Sequence, residues 1–116
     1  MREEVAADGA DAPGTVLRRL LADGDRSAAV EYVALQLKHA SAAALADAAL
    51  ACLDGGAPDL AEAAFRALTL REPTAASAHR GVALSLMRLR RPAEAAESWR
   101  RAIALSPRDA ALHTGR

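Results

Sequence analysis

The sequence contains little cysteine, few aromatic residues and no long apolar run. Cys52 is the single cysteine among 116 residues, so no disulfide can form within the chain and an oxidising compartment is not indicated. The longest apolar run covers residues 48–53, far below the roughly 20 residues that span a bilayer. Residues 1–4 are charged at three positions and lead into no apolar run, as a secretory signal would require. We therefore expect a cytoplasmic protein with no membrane contact.

The aromatic residues are Tyr32, Phe65 and Trp99 alone, while much of the hydrophobic part of the sequence is alanine. Alanine is the best helix former, and small side chains allow helices to pack closely. Apart from Gly81, glycine and proline fall between the stretches of periodic hydrophobicity, where they mark turns. This composition predicts an all-α fold in a single domain. Gly81 should weaken its helix by up to about 1 kcal/mol relative to alanine, unless a close contact requires it.

The net charge is zero, but the sign of the charge changes along the chain. Residues 1–64 hold eleven acidic and five basic residues, whereas residues 79–116 hold eight basic and three acidic ones. Such polarity would steer an acidic partner to the C-terminal half or favour head-to-tail self-association. For any single arginine, a solvated helix face is the simpler interpretation. Because the chain is neutral and its arginines lack interleaved aromatic residues, nucleic acid binding is not predicted.

Apolar residues at helical spacing predict six helices between Thr15 and Pro107, joined by very short turns into three antiparallel hairpins. Pro58 and Pro92 suit the first turns of their helices, where a missing N–H costs nothing. The candidate N-caps are Asp25 or Ser27, Ser41, and Thr74 or Ser77. The expected inward stripes are Val16, Leu17, Leu20 and Leu21; Val30, Val33, Ala34 and Leu37; Leu45, Ala48, Ala49, Cys52 and Leu53; Ala61, Ala64, Phe65 and Leu68; Val82, Ala83, Leu86 and Met87; and Ala95, Trp99, Ala102 and Ile103.

The chain also repeats itself at an offset of 34 residues. The repeated positions are Pro58, Ala61, Phe65, Arg66 and Pro73, which return as Pro92, Ala95, Trp99, Arg100 and Pro107. A period of about 34 residues built from helix–turn–helix units is typical of the tetratricopeptide repeat, which this pattern resembles. The resemblance implies a superhelical stack of three hairpins in which each unit packs on the next.

The resemblance covers residues 14–109, with full repeats at residues 42–75 and 76–109 and a degenerate one before them. Leu68 stands where the family usually has a small residue and should push the neighbouring helix outward. Gln36 and His39 depart from the pattern in the first repeat, as terminal repeats often do. We expect residues 1–13 to form a flexible N-terminal arm and residues 110–116 a short C-terminal tail.

In this family the first helix of each repeat lines a concave groove. By position, the resemblance assigns to the groove Ala43, Ala46, Leu50, Leu53, Asp54, Ser77, Arg80, Leu84, Met87 and Arg88. The implied function is that of an adaptor, not an enzyme, which holds a peptide or helix of another protein. Alternatively, the same residues pack against the N-terminal arm or a second copy, which would make the chain a self-assembling scaffold. A regulatory subunit that docks on a separate enzyme differs from the adaptor only in its partner.

Other candidate sites are weak. His79 and His113 are 34 residues apart, but equivalent positions in stacked helices lie about 10 Å apart, too far to share one zinc ion easily. Cys52 lies on an inward stripe, where a buried thiol is inert. The sequence contains no asparagine, so it lacks the lysine and asparagine set with which chaperone-binding relatives grip a terminal carboxylate. No nucleophile, phosphate-loop or metal-ligand motif occurs, so no catalytic residue, metal or cofactor is predicted.

The C-terminal end of the stack is a candidate interface. Only Ala110, Ala111 and Leu112 are available after Pro107 to cover the last hairpin with apolar contacts. A repeat array usually ends in a capping element with a polar outer face, and an uncovered apolar patch usually marks an interface. We therefore expect this end to meet either the partner or a second copy in a homo-oligomer.

Overall fold

The computed structural model describes residues 12–106, and within this range the regular structure consists of six helices. They are α1 (Pro13–Ala22), α2 (Arg26–His39), α3 (Ala42–Asp54), α4 (Pro58–Arg71), α5 (Ala76–Arg88) and α6 (Pro92–Leu105). Consecutive helices pair into three hairpins, and each hairpin packs on the next. The predicted all-α stack of three hairpins is therefore confirmed. The expected N-terminal arm, C-terminal tail and histidine pair fall largely outside the described residues.

The first helix of every hairpin ends in the same turn. After α1, α3 and α5 the residue in the left-handed conformation is Gly24, Gly56 and Arg90, with φ of 78°, 82° and 63°. In each turn this residue donates its N–H to a carbonyl three positions back, and the following N–H bonds to a carbonyl five positions back. This pair of bonds is the Schellman motif, which satisfies carbonyls that the helix end leaves without partners. The turn reverses the chain within a few residues and so sets each hairpin.

The starts of the helices use three different devices. The carboxylate of Asp25 and the hydroxyl of Ser41 accept bonds from the N–H groups of Ala28 and Ala44, so both predicted caps are confirmed. Pro58 and Pro92 open α4 and α6. No side chain caps α5 at Ala75, so the prediction of Thr74 or Ser77 was wrong. Helix α1 begins two residues before the predicted Thr15. A side chain of α3 caps its start, because the Asp47 carboxylate accepts a hydrogen bond from the Gly14 N–H at 2.8 Å.

The core runs between the helices along the whole stack and consists largely of alanine. Eleven of the 21 buried hydrophobic residues of the described chain are alanines, which lets the helix backbones approach closely. The stripes predicted for α3 and α4 are buried in full. Three other stripes were partly wrong: Val30 and Ala34 of α2 are exposed, and so are Met87 of α5 and Ile103 of α6. The residues of α2 belong to the first hairpin of the described chain, and no other described hairpin covers them.

Gly81 lies in the middle of α5 because the ring of Phe65 from α4 rests against it. A Cβ atom at position 81 would lie 2.3 Å from two carbons of that ring, a distance that no real contact shows. The close approach supplies the packing reason that a glycine inside a helix needs, since glycine costs about 1 kcal/mol there relative to alanine. It also fixes the distance between α4 and α5 at the point where the second and third hairpins meet.

Candidate protein-binding groove

A hollow of about 160 Å³ opens between α3 and α5 above the side chains of α4. We call it the groove hollow, and its lining consists of Ala46, Leu50, Phe65, Leu68, Ser77, Arg80, Gly81 and Leu84. Seven of these eight residues carry no charge. The exception is Arg80, so the hollow combines an apolar wall with one cation.

The packing of α4 explains why the hollow exists. The ring of Phe65 rests against the backbone of Gly81, which has no side chain to cover the ring. Leu68, at the position where the sequence departs from the family pattern, lines the hollow one turn further along α4. Helix α5 packs closely on α4 and α6 but touches α3 only lightly. The gap between α3 and α5 therefore stays open down to α4. The outward push expected from Leu68 stays a prediction.

The structure brings together five of the ten residues that the resemblance assigns to the groove, and Ala43 is not among those five. Leu50, Arg80 and Leu84 line the groove hollow, and the two leucines expose 49% and 39% of their surface. Met87 is exposed on the same helix but does not line the hollow. Leu53 is only 5% exposed and belongs to the core, so it offers a partner almost no surface. The two predicted residues with smaller side chains, Ala46 and Ser77, also line the hollow.

The two other charged residues of the predicted groove are engaged within the chain. Asp54 pairs with Arg18 of α1, with 3.4 Å between the carboxylate oxygen and the guanidinium nitrogen. Arg88 donates from Nη1 to the main-chain oxygen of Leu53 at 3.0 Å and so satisfies a carbonyl at the end of α3. Arg71 donates in the same way to the oxygens of Leu37 and Ala40 at the end of α2. Arg71 and Arg88 thus tie each hairpin to the preceding one.

Arg80 has no such engagement. Within the described chain its guanidinium makes no hydrogen bond and no ion pair, although the side chain is partly buried against the apolar wall of the hollow. A guanidinium carries five donors in a fixed planar fork that matches a carboxylate. This arrangement is therefore ready to accept an anionic group beside an apolar side chain.

Three residues of the hollow were not among the predicted groove residues: Phe65, Leu68 and Gly81. The sequence placed Phe65 and Leu68 in the core, and both are indeed mostly buried, but each also forms part of the floor. Two signals in the sequence pointed to this region. One is a glycine inside a helix, and the other is a leucine where the family usually has a small residue.

The second helices carry a separate charged cluster. Glu62 bonds to both Arg66 and Arg91, at 2.6 and 3.1 Å, and Arg91 also forms two bonds to Glu94. The hydrogen bonds from Arg91, opposed by slight desolvation and helped by the charge of Arg66, lower the pKa of Glu94. A bond from Arg100 lowers the pKa of Glu97 in the same way. Glu62 links Arg66 of α4 to Arg91 at the start of α6, whereas the Arg91–Glu94 and Arg100–Glu97 pairs are local to α6 and solvent-exposed. Each arginine of this cluster therefore has an acidic partner.

Two shallow hollows of about 310 and 370 Å³ lie along the outer side of α2. Their lining consists of Arg26, Ser27, Val30, Glu31, Ala34, Leu35 and Lys38. All of these residues come from one helix, so the hollows lack the second wall that encloses the groove hollow. They mark the side of α2 that no other helix of the described chain covers.

The reactive side chains of the described chain have structural surroundings. The ring of His79 bonds to the oxygen of Pro73 at 2.9 Å, at the start of α5. Burial, reinforced by the charge of Asp59, raises the pKa of Cys52 to about 11, which keeps the thiol protonated and unreactive at neutral pH. No group of three or more potential metal ligands occurs among residues 12–106. None of the helices in that range has the length and apolar character to cross a membrane.

Residues 76–109 match the sequence profile of the tetratricopeptide repeat family. The matched range has the boundaries expected for the last full repeat, and it contains α5, α6 and the turn between them. No curated protein and no solved structure matches the chain. Repeats of this family generally mediate protein–protein interaction and are typically non-catalytic. Together with the stack of three hairpins, the match identifies residues 76–109 as a tetratricopeptide repeat.

Proposed function

We propose that this protein is an adaptor that binds a peptide or helix of another protein in the groove between α3 and α5. The observation that carries the proposal is the groove hollow, where Leu50 and Leu84 expose apolar surface on either side of a floor made by Phe65 and Leu68. A small apolar cavity bounded by two helices suits the insertion of one anchoring side chain, and such anchors dominate binding energy at interfaces. Arg80 at the rim adds a polar contact that orients the partner.

The hollow is formed by helices that are held firmly in place. Leu45, Ala48 and Ala49 bury one side of α3, and Val82 and Leu86 bury one side of α5. A site on packed helices needs little reordering when a partner binds, which reduces the entropic cost of association. The exposed leucines therefore occupy a pre-formed surface.

The groove is tested by placing a charge in it. We expect the double substitution Leu50→Glu and Leu84→Glu to abolish capture of partner proteins from the native cell extract, because two carboxylates would be buried beneath the partner's anchor. Both positions are partly solvent-facing, so the helical circular dichroism spectrum should remain that of the wild type. The matched control is Leu70→Glu on α4, where the leucine is 82% exposed and lines none of the hollows.

The readout is the set of proteins that the wild type and the Leu70→Glu control retain and the double variant loses. Capture of the same proteins by all three chains would move the binding surface away from the groove. Loss of binding in the Leu70→Glu control as well would point to a general effect of surface charge.

Self-association is the second candidate, and the exposed side chains of the last hairpin favour it. Met87, Ile103 and Leu105 expose 54%, 44% and 40% of their surface. Exposed apolar residues at the end of a repeat stack mark a place where a further unit can pack. Light scattering during size-exclusion chromatography distinguishes the two candidates: a scaffold gains mass with concentration, whereas an adaptor remains a monomer over the whole range.

A further inference from the structure

The lining of the groove hollow includes one cation, Arg80, which has no partner among residues 12–106. Of the charged residues that the groove face carries, Asp54 is paired with Arg18 and Arg88 is bonded to the Leu53 carbonyl. Of these three residues, Arg80 is the one that makes no ion pair or hydrogen bond within residues 12–106. The residue is also partly buried, so part of its side chain lies against the hollow while its guanidinium has no carboxylate from the described chain.

The surroundings of Arg80 determine which group would fit beside it. The nearby Leu50, Phe65 and Leu84 are apolar, and the one other polar side chain of the lining is Ser77, one turn before Arg80 on the same helix. A carboxylate that pairs with a guanidinium at an apolar wall forms a stronger, shorter bond than one in open water, and the planar fork favours two parallel bonds. The apolar side of the hollow in turn accepts an aliphatic side chain.

We propose that the groove selects segments of other proteins in which an aliphatic side chain stands beside an aspartate or glutamate. The aliphatic side chain enters the groove hollow, and the neighbouring carboxylate pairs with Arg80. This inference rests on the proposed function, since it specifies the partner of the same groove. The positive charge of the C-terminal part of the chain supports it, because residues 79–106 hold six arginines and two glutamates. Such a field attracts acidic segments and repels basic ones.

The carboxylate is assigned to a side chain and not to a chain terminus. A terminal carboxylate grips best when several donors converge on it, but Arg80 is the one cation in the lining of the hollow. Arg88, the next arginine along the same helix, is bonded to Leu53 and is not directed to that position. One guanidinium beside an apolar wall matches one acidic side chain beside an aliphatic one.

The test uses a phage-displayed library of random 16-residue peptides selected on the full chain. On the wild type we expect enrichment of peptides with Leu, Ile or Met next to Asp or Glu. On Arg80→Glu we expect the acidic neighbours to be replaced by Lys or Arg, since reversing the charge reverses the preference. Arg90→Glu is the matched control, because it makes the same change of charge in the turn after α5, outside the lining of the hollow. Peptides selected on this variant should still contain the acidic neighbour.

One enriched peptide then gives the affinities. Synthesised with an amidated C-terminus, it should bind the wild type and Arg90→Glu equally and bind Arg80→Glu roughly tenfold or more weakly. Enriched peptides without acidic residues, or an acidic preference that survives in Arg80→Glu, would overturn the assignment of Arg80 while leaving groove binding in place. If only peptides with a free C-terminal carboxylate bind, Arg80 pairs with the chain terminus and not with an acidic side chain, and the proposal is wrong. Peptides that bind Leu50→Glu/Leu84→Glu as well as the wild type would overturn the groove itself.

Discussion

At the scale of single residues, the contact between Gly81 and Phe65 joins the fold to the candidate site. The phenyl ring occupies the space that a side chain at position 81 would fill, and the same two residues form part of the floor of the groove hollow. Stability and binding surface thus depend on one contact between α4 and α5. Any residue larger than glycine changes both.

We predict that Gly81→Ala lowers the free energy of unfolding by up to about 2 kcal/mol. The clash with the ring costs roughly 1–3 kcal/mol, which exceeds the gain of about 1 kcal/mol in helix propensity. In the background of Phe65→Leu the same substitution should cost much less, because the ring that it meets is gone. Urea denaturation of the four chains measures this coupling. Equal costs in both backgrounds would show that the ring is not the cause.

Arg90 is the residue at which the three helix-end turns differ. Gly24 and Gly56 adopt the left-handed conformation without a steric penalty, whereas Arg90 places a Cβ atom in it. We predict that Arg90→Gly raises the free energy of unfolding by about 0.5–1 kcal/mol, the left-handed penalty being partly offset by the flexibility of glycine in the unfolded chain.

The reverse substitution Gly56→Ala serves as the control for Arg90→Gly. A Cβ atom at position 56 would have no atom within 4 Å, so only the backbone conformation is strained. We expect Gly56→Ala to lower the melting temperature and Arg90→Gly to raise it. A lower melting temperature for Arg90→Gly would mean that the Arg90 side chain contributes more than its backbone costs.

The two groove arginines show what could not be predicted from the sequence at this scale. Arg80 and Arg88 lie on the same face of α5, and the repeat pattern gave both the same role. They differ because the end of α3 brings the Leu53 carbonyl within 3.0 Å of Arg88 and leaves Arg80 beside the hollow. That difference depends on where a helix 35 residues away ends, which no local pattern specifies.

At the scale of the helices, the ion pairs at the start of α6 and within it make the stability of the stack depend on pH. The pKa of Glu94 is lowered by its bonds from Arg91, and that of Glu97 by its bond from Arg100. A carboxyl group with a lowered pKa in the folded state stabilises the fold at pH values above its unfolded pKa. This contribution is lost as the pH falls through the folded pKa.

We therefore predict that the melting temperature falls as the pH drops below about 4.5, the ordinary pKa of these carboxyl groups. In Glu94→Gln/Glu97→Gln this part of the decline should be smaller, and the difference should shrink in high salt because the pairs are solvent-exposed. Glu31→Gln is the control, since Glu31 forms no ion pair within the described chain. An identical acid profile for the double variant and the wild type would show that these pairs do not contribute.

The second helix is the element that the sequence described least well. Its predicted stripe contained Val30, Val33, Ala34 and Leu37, but only Val33 of these is buried. The helical period was correct, but the burial of one side of a helix also requires a neighbouring element, and no other described helix covers this side of α2. The stripes of α3 and α4 were predicted in full because both helices have neighbours on two sides.

At the scale of the whole molecule, the packing is uneven from one end to the other. Contacts within the second and third hairpins are extensive, and α1 packs well on α3, whereas α2 touches α1, α3 and α4 only lightly. The match to the 34-residue pattern follows the same order, since it is close in the last two hairpins and loose in the first. The groove hollow was beyond prediction because it arises where α3, α4 and α5 meet.

We predict that the backbone amides of α2 exchange with deuterium faster than those of α3, α4 and α5. Only Ala29 and Val33 of α2 are buried, so local opening of this helix exposes little apolar surface. Arg71 holds the last turn of α2 through the Leu37 and Ala40 carbonyls, and Arg71→Ala should speed exchange in that turn alone. Uniform exchange across the six helices would contradict the unequal packing.

The lining of the groove hollow comes entirely from α3, α4 and α5, and none of it from the first hairpin. Opening of α2 and binding at the hollow are then separate equilibria. A ligand stabilises a conformation only to the extent that it binds that conformation better than its alternative. A bound segment should therefore slow exchange in α3 and α5 and leave that of α2 almost unchanged. Helix α2, the most lightly packed helix of the described stack, would thus be free to open and close while the partner stays bound.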